Sequence, residues 1–151
     1  MTLGGRRNLL DRPSGRWRPP LLARGAGLRG RVAWAFRCFF DLQLGTIERD
    51  LEELLPGAGG VVLDVGCGSQ IYRSLLPEGV RYIGIDTADS RSRFGYESSD
   101  TTYYEEDVWP VSDGSVDWVL CTETLEHVED PAGFLREMRR VLDVLEGLGA
   151  Q

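Results

Sequence analysis

A run of apolar residues that leads directly into a glycine-rich turn most constrains how this chain can fold. It occupies residues 61–70, Val-Val-Leu-Asp-Val-Gly-Cys-Gly-Ser-Gln. Its aliphatic first half is typical of a strand that is buried on both faces of a parallel sheet. Gly66 and Gly68 let the backbone turn sharply, and the absence of a side chain there would let a ligand approach the main-chain N–H groups. The stretch therefore predicts a strand followed by a ligand-binding turn.

The residues that follow the turn predict a helix. Ser69 can cap its first turn, and Pro77 ends it. The apolar positions of this helix are Ile71, Tyr72, Leu75 and Leu76. A strand, a turn and a helix in this order also occur in α/β proteins that bind no ligand there, so the interpretation needs support from elsewhere in the chain.

A second predicted strand ends in an acid at the distance from the turn that a nucleotide site requires. Residues 81–86, Arg-Tyr-Ile-Gly-Ile-Asp, predict the strand, and Asp86 lies 20 residues after Gly66. At this spacing a carboxylate reaches the ribose of a nucleotide bound over the turn. A nicotinamide dinucleotide site would require a third glycine at position 71, where this chain has Ile71. A site that binds a pyrophosphate also does not need a carboxylate such as that of Asp64. A dinucleotide site is therefore disfavoured.

Four motifs, in order along the chain, resemble those of class I S-adenosylmethionine-dependent methyltransferases of the type 11 group. Residues 63–69, Leu-Asp-Val-Gly-Cys-Gly-Ser, are similar to the first motif, and Asp86 matches the acid that binds the ribose. Asp107 resembles the residue beside the adenine after the third strand. Residues 115–120 and 125–131 are similar to the fourth strand and to the segment that follows it.

This resemblance, which covers residues 46–142, implies a fold, a cofactor and a reaction. The fold would be α/β, with a doubly wound, Rossmann-like and mostly parallel sheet. The reaction would be methyl transfer to a small-molecule acceptor, without a metal because the leaving group is already cationic. The cofactor would be S-adenosyl-L-methionine, bound by Asp64, Gly66, Cys67, Gly68, Asp86, Asp107 and Val108.

The residues around the predicted site do not identify a catalytic group. Ligands collect at the carboxyl ends of the strands in such sheets, which makes Glu123, Glu126 and His127 candidates for a base. Glu126 and His127 stand at a predicted helix start, where capping or packing explains them better than catalysis. Cys67 has no matched histidine partner, so we interpret it as a residue that fills the turn rather than as a nucleophile.

Charge divides the chain into two parts. Residues 1–40 contain nine arginines and one acid, whereas residues 41–151 contain eight arginines and 23 acids. We predict a basic arm at residues 1–40 and a partial S-adenosylmethionine-binding methyltransferase domain at residues 41–151. The acidic domain argues against a grip on a nucleic-acid backbone.

The arm contains an apolar stretch at residues 32–40 that predicts an amphipathic helix, packed on the domain or lining a substrate entrance. It is too short to span a bilayer and lacks the cleavage site of a signal peptide. Cys38, Cys67 and Cys121 form no Cys-x-x-Cys pair, which indicates neither a disulfide framework nor a zinc site. These features predict a cytoplasmic protein without a transmembrane segment.

The other predicted elements follow from apolar spacing. A helix precedes the first strand and ends at Pro56-Gly57, with its apolar positions at Leu44, Ile47, Leu51, Leu54 and Leu55. Residues 87–100 predict a mobile loop, and residues 101–105 and 116–121 predict the third and fourth strands. The last helix would be capped by Asp130 and begin at Pro131, with an apolar stripe of Phe134, Leu135, Met138, Val141, Leu142 and Leu145.

The end of the chain raises an alternative. After Leu142 the family pattern would supply a fifth strand and two more, whereas this chain has residues 143–151. We therefore expect a C-terminally incomplete domain that is a poor methyltransferase on its own and that self-associates through an open edge at residues 116–121. The alternative function is a non-catalytic cofactor-binding or interaction module derived from a truncated methyltransferase.

Overall fold

The fold is built around a parallel sheet, which confirms the predicted α/β class. The computed structural model describes residues 27–90, 98, 100–105 and 108–142. Within these residues four strands, all parallel, lie in the order β3-β2-β1-β4. They are β1 (Val61–Val65), β2 (Arg81–Thr87), β3 (Thr101–Tyr104) and β4 (Trp118–Leu120). The α-helices that the structure describes from end to end are α1 (Gly27–Phe40), α2 (Leu42–Leu54) and α3 (Pro131–Val141).

Both faces of the sheet are covered, as in a doubly wound fold. On one face Leu63, Val65 and Ile85 pack with side chains of α3 and of the segment before β4, namely Trp109, Val116, Phe134 and Val141. On the other face Val62 and Leu120 pack with Leu51 and Leu55. Because β1 is central and its aliphatic side chains alternate between these two clusters, it is buried on both sides, which confirms the sequence interpretation.

The helix before β1 is also confirmed. Asp41 caps α2 by accepting the Leu44 N–H at 3.1 Å, and the helix passes into a 3-10 turn at Leu55–Gly57. Of the predicted apolar stripe, Leu54 is exposed and Leu44 is buried, and Ile47, Leu51 and Leu55 pack in the cluster that contains Val62 and Leu120.

The predicted helix after the glycine turn is wrong. Only a 3-10 helix at Arg73–Leu75 forms, and Ser69 does not cap it. Gln70 adopts a left-handed conformation, with φ of +57°, which interrupts a right-handed helix. Leu76, which precedes a proline, is extended with ψ of 144°. Only one turn fits between these two residues.

The segment after β2 is helical at its start, so the predicted loop is wrong there. Residues 88–90 are helical, and Thr87 Oγ1 accepts the Ser90 N–H at 3.1 Å, as a helix cap does. Residues 91–97 and 99, which belong to the same prediction, lie outside the described residues.

The fourth strand is shorter than predicted. Regular pairing with β1 covers only Trp118–Leu120, and before it the Asp117 side chain accepts the Val61 N–H at 2.7 Å. Val116 instead forms an isolated parallel bridge with Leu142. The last described residue thus pairs with the segment just before β4, and self-association through the edge of β4 stays a prediction.

The last helix begins where the sequence predicted, with Pro131 in its first turn and Asp130 at the cap position. The Asp130 carboxylate, however, lies 3.3 Å from Arg136 rather than capping the helix. Leu135 is exposed, which corrects the predicted apolar stripe, and Leu145 lies outside the described residues.

A helix forms over the predicted stretch and begins earlier, at Gly27. It contacts α2, where Trp34 donates its indole N–H to Glu48 at 2.9 Å. All of α1, which the structure describes completely, stays at least partly exposed. No helix in the described part of the chain is long and apolar enough to cross a membrane.

Candidate functional site

The carboxyl ends of the strands open into one large cleft. Its volume is about 1340 Å³, and its walls come from the glycine turn, the end of β2 and the segments that follow β3 and β4. Ligands bind at this edge of open α/β sheets because the loops diverge there from the central strands. The cleft is therefore the candidate site.

The glycine turn adopts the conformation for which glycine is needed. Gly66 and Gly68 have φ of +73° and +49°, values that other residues rarely adopt. The main-chain N–H groups of Gly66 and Cys67 donate to the Ile85 carbonyl at 2.9 and 3.2 Å, which holds the turn against β2. A Cβ added at Gly66 would collide with the side chain of Thr124. Both backbone conformation and space therefore exclude a side chain there.

Thr124 brings the loop after β4 onto the turn. Its hydroxyl lies 3.2 Å from the Val65 carbonyl and 3.0 Å from the Thr122 carbonyl, to either of which it can donate. The close approach of this side chain to Gly66 joins the ends of β1 and β4. No local sequence signal marks Thr124, because only the folded sheet brings it near the turn.

Asp86 is buried at the end of β2, where the chain itself orients its carboxylate. Oδ2 accepts the Gly68 N–H at 3.0 Å, and Oδ1 accepts the Thr87 N–H at 2.7 Å and the Ser90 hydroxyl. A carboxylate has about four acceptor positions, so these donors leave about one for a ligand. Asp86 also lines the cleft, as its predicted role requires.

Asp64 is the second buried carboxylate of the cleft. It is 3% exposed, and Tyr82 donates its hydroxyl to Oδ2 at 2.7 Å. Burial raises the pKa of Asp64 from 3.8 to about 6, the Tyr82 hydrogen bond lowers it, and the charge of Asp86 raises it. Burial also raises the pKa of Tyr82, so this phenol stays protonated and remains a donor. Two neighbouring buried carboxylates favour a ligand that carries positive charge.

The Asp64–Tyr82 contact follows from strand register. In the parallel pair Asp64 lies opposite Gly84, and side chains alternate along a strand, so Tyr82, Gly84 and Asp86 share one face with Asp64. The two-residue period of side chains in residues 81–86 is the sequence signal that places Tyr82 on the same face as Asp86. Arg73, whose guanidinium lies 4.8 Å from the centre of the Tyr82 ring, has no comparable local signal.

Cys67 is buried within the turn. Its sulfur lies 3.4 Å from the Thr101 hydroxyl, to which Gln70 donates at 2.9 Å. Burial raises the pKa of the Cys67 thiol to about 11, with a smaller opposing effect of the Thr101 hydrogen bond. The thiol is therefore neutral at ordinary pH and a weak nucleophile. Cys38, Cys67 and Cys121 are all free.

The remaining predicted residues are distributed unevenly around the cleft. Val108 lines it and is largely exposed, whereas Asp107 lies outside the described residues. Of the candidates after the fourth strand, Glu123 and His127 line the cleft and Glu126 does not. In the part of the chain that the structure describes, no three His, Cys, Asp or Glu side chains are grouped to hold a metal ion.

Comparison with known proteins identifies similar sequences over the same region. A family model described as a methyltransferase domain matches residues 63–144. The chain is 36% identical over 96 residues to the ubiquinone biosynthesis O-methyltransferase of Thiobacillus denitrificans, covering 58% of this chain and 41% of that protein. It is 38% identical over 96 residues to the enzyme of the same name from Albidiferax ferrireducens, covering 57% and 38%. The chain thus spans about two fifths of the length of these relatives.

A solved structure supports the fold alone. A putative methyltransferase from an antibiotic biosynthesis pathway of Anabaena variabilis superposes with a TM-score of 0.50 at 20% sequence identity. The superposition covers 65% of this chain and 42% of that protein.

Proposed function

The chain belongs to the methyltransferase domain family, and from that premise we propose that it binds S-adenosylmethionine in the cleft and transfers a methyl group to a small molecule. The family match spans residues 63–144, which include the glycine turn and the other strands that border the cleft. The bound cofactor would supply a methyl group on a cationic sulfonium, which is displaced without a metal.

The observation that carries this proposal is the bond between the turn and the acid. The Asp86 carboxylate accepts the Gly68 N–H at 3.0 Å, so this carboxylate, to which we assign ribose binding, and the turn form one rigid surface. A nucleoside laid over the turn would meet the Asp86 carboxylate with its ribose hydroxyls, which are donors. We assign cofactor binding to Asp64, Gly66, Cys67, Gly68, Asp86, Asp107 and Val108.

The charge in the cleft supports this cofactor over a dinucleotide. Asp64 and Asp86 are both buried and both face the cleft, where they would repel a pyrophosphate. A ligand with an ammonium or sulfonium group would be attracted instead. Ile71, which stands where a dinucleotide site needs a third glycine, also lines the cleft.

The remaining contribution of the protein is to orient the acceptor. Methyl displacement depends mainly on holding the two reactants in line, and an oxygen or nitrogen acceptor also needs a base. Glu123 and His127 both line the cleft, but neither makes a contact that identifies it as the base. We therefore leave the catalytic residue unassigned. The names of the curated relatives support a hydroxyl oxygen as the acceptor.

A second candidate is a binding module without turnover. In the described part of the site no contact identifies Glu123 or His127 as a base, which is the observation that favours this candidate.

A cytoplasmic location is supported by the free state of the three cysteines, because reduced thiols persist in that compartment.

Calorimetric titration of the full chain with S-adenosylmethionine, S-adenosylhomocysteine and NAD tests the binding half of the proposal. We expect the first two to bind and NAD to bind more weakly or not at all. Transfer of a labelled methyl group to a panel of phenols, catechols and amines tests the catalytic half. Binding without transfer to any acceptor would favour the binding module, and equal affinity for NAD would refute the cofactor assignment.

A further inference from the structure

Helix α1 presents an apolar face that the domain does not cover. Leu28, Val32, Phe36, Phe39 and Phe40 are each more than half exposed. The three rings pack against one another, with centroids 6.0 Å apart for Phe36 and Phe40 and 5.2 Å apart for Phe39 and Phe40. We call these five residues the apolar face of α1.

The opposite side of α1 is anchored to α2, which fixes the direction of the apolar face. Trp34 donates to Glu48 at 2.9 Å. A Cβ added at Gly45 would collide with the Cys38 carbonyl, so the two helices pack closely there. With 3.6 residues per turn, Trp34 and Cys38 lie on the side of α1 opposite to Val32 and Phe36. The apolar face therefore points away from the domain.

Positive charge accompanies this face. Helix α1 contains Arg29, Arg31 and Arg37 and no acid. On a helical projection Arg31 and Arg37 flank the apolar face on opposite sides, whereas Arg29, in the first turn, projects between Phe36 and Phe40. Residues 1–26 add six arginines and one acid, whereas residues 41–151 carry 23 acids against eight arginines. The charge of α1 is thus opposite to that of the domain.

We propose that α1 lies in the plane of an anionic phospholipid surface and attaches the domain to it. Aromatic and aliphatic side chains with flanking arginines and no acid are the composition of an interfacial helix. At about 21 Å in length, α1 would immerse its apolar face among the acyl chains while the arginines contact phosphate groups. The acidic domain would stay in water, because the same surface repels it.

Other occupants of this face fit the charges less well. A nucleic acid would need several arginines at the centre of the contact, but this face has five apolar side chains and Arg29 alone among them. A second copy of α1 placed face to face would bring the flanking arginines of both helices together. The lipid surface alone satisfies the apolar centre and the basic margins at once. This inference does not depend on the proposed methyl transfer.

Vesicle flotation with the full chain tests the proposal. Vesicles of phosphatidylcholine with about one third phosphatidylglycerol should bind the protein at least tenfold more tightly than pure phosphatidylcholine. The charge variant Arg29→Gln/Arg31→Gln should lose about thirtyfold on the anionic vesicles, at about fivefold per arginine. Phe36→Gln/Phe40→Gln should lose at least tenfold on the same vesicles.

A matched control is Leu135→Gln, which removes an exposed apolar side chain from α3 instead of α1 and should bind vesicles as the wild type does. Circular dichroism and S-adenosylmethionine titration check that each variant is folded, since α1 does not line the cleft. Equal binding to neutral and anionic vesicles, or wild-type binding by the phenylalanine variant, would overturn the proposal. Dimerisation through α1 without vesicle binding, or tighter binding to nucleic acid, would overturn it as well.

Discussion

The Gly68 N–H donates to the Asp86 carboxylate across 3.0 Å, and together with the bonds from Gly66 and Cys67 to the Ile85 carbonyl it joins the glycine turn to the end of β2. The two sequence features that predicted a nucleotide site are therefore parts of one rigid structure rather than two neighbouring contacts. Because Asp86 also accepts the Thr87 N–H, its orientation is set before any ligand arrives. Such preorganisation reduces the entropy that binding must otherwise supply.

Replacement of Asp86 tests this surface. Asp86→Ala should weaken S-adenosylmethionine binding by roughly tenfold to a hundredfold, because a hydrogen bond to a charged group contributes about 1.5–3 kcal/mol and about 1.4 kcal/mol is a factor of ten. Asp86→Asn, which keeps one acceptor oxygen, should lose less. Calorimetry measures the affinities, with the exposed Glu78→Ala as control. Equal affinity of wild type and Asp86→Ala would refute the assignment.

Gly66 and Gly79 form a matched pair for a test of the turn. Both have left-handed backbones, with φ of +73° and +89°, but an added Cβ collides with Thr124 only at Gly66 and meets open space at Gly79. Valine at either position should cost stability through backbone strain, on the order of 1–3 kcal/mol. Only Gly66→Val should also abolish cofactor binding, measured by calorimetry at a temperature where both variants are folded. Loss of binding in Gly79→Val alone would contradict this account.

Cys67 should be dispensable despite its place in the turn. Burial raises the pKa of its thiol to about 11, so little thiolate is available for attack. Cys67→Ala should retain the cofactor affinity of the wild type within about threefold, since about 0.7 kcal/mol corresponds to that factor. Calorimetric titration measures the cofactor affinity of the wild type and of Cys67→Ala, and the methyl-transfer rates of the two proteins are measured in parallel. A variant that binds normally but no longer turns over would reveal a chemical role for the thiol.

Asp64 should make stability depend on pH in a defined window. The folded pKa of about 6 exceeds the ordinary value of 3.8, so the folded state binds the proton more tightly. The resulting stabilisation is complete below pH 3.8 and is lost as the pH rises through about 6. The free energy of unfolding falls by about 3 kcal/mol over this window, because one pKa unit corresponds to about 1.4 kcal/mol. Asp64→Asn, which keeps an acceptor for Tyr82, should remove this loss and be more stable than wild type at neutral pH.

Urea unfolding from about pH 4 to about pH 7 measures the effect as a difference between the two proteins. Tyr82→Phe provides an independent check. It removes the hydrogen bond that lowers the pKa of Asp64, so the transition should move to higher pH. An unchanged difference between wild type and Asp64→Asn across this range would show that Asp64 titrates normally in the folded protein.

Arg140 connects α3 to the segment before β4. Its guanidinium donates to the carbonyls of Trp109 and Val111 at 3.1 and 2.8 Å and pairs with Asp113 and Glu137 at 2.6 Å. Arg140→Ala should lower the free energy of unfolding by about 2 kcal/mol, because it removes charged hydrogen bonds to partly buried groups. The neighbouring Arg139→Ala, at an exposed position, should change it by less than about 0.5 kcal/mol. If urea unfolding gave equal decreases in the free energy of unfolding for Arg140→Ala and Arg139→Ala, this role for Arg140 would be ruled out.

The sequence by itself determined the features that depend on local pattern. The aliphatic run of β1, the left-handed glycines and the acid at the end of β2 are each encoded within a few consecutive residues. The same holds for the start of α3 at Pro131, since proline geometry acts within one turn. These predictions were confirmed because no distant residue competes with them.

Tertiary structure decided what depends on contacts between elements. The segment after the turn does not become a full helix, since Gln70 is left-handed and its side chain binds Thr101, 31 residues away. Thr124 closes on Gly66 from 58 residues away, and Arg140 reaches Trp109 from 31. Such contacts carry no signal at a fixed sequence spacing, because their geometry exists only after the strands have paired and the helices have packed on the sheet.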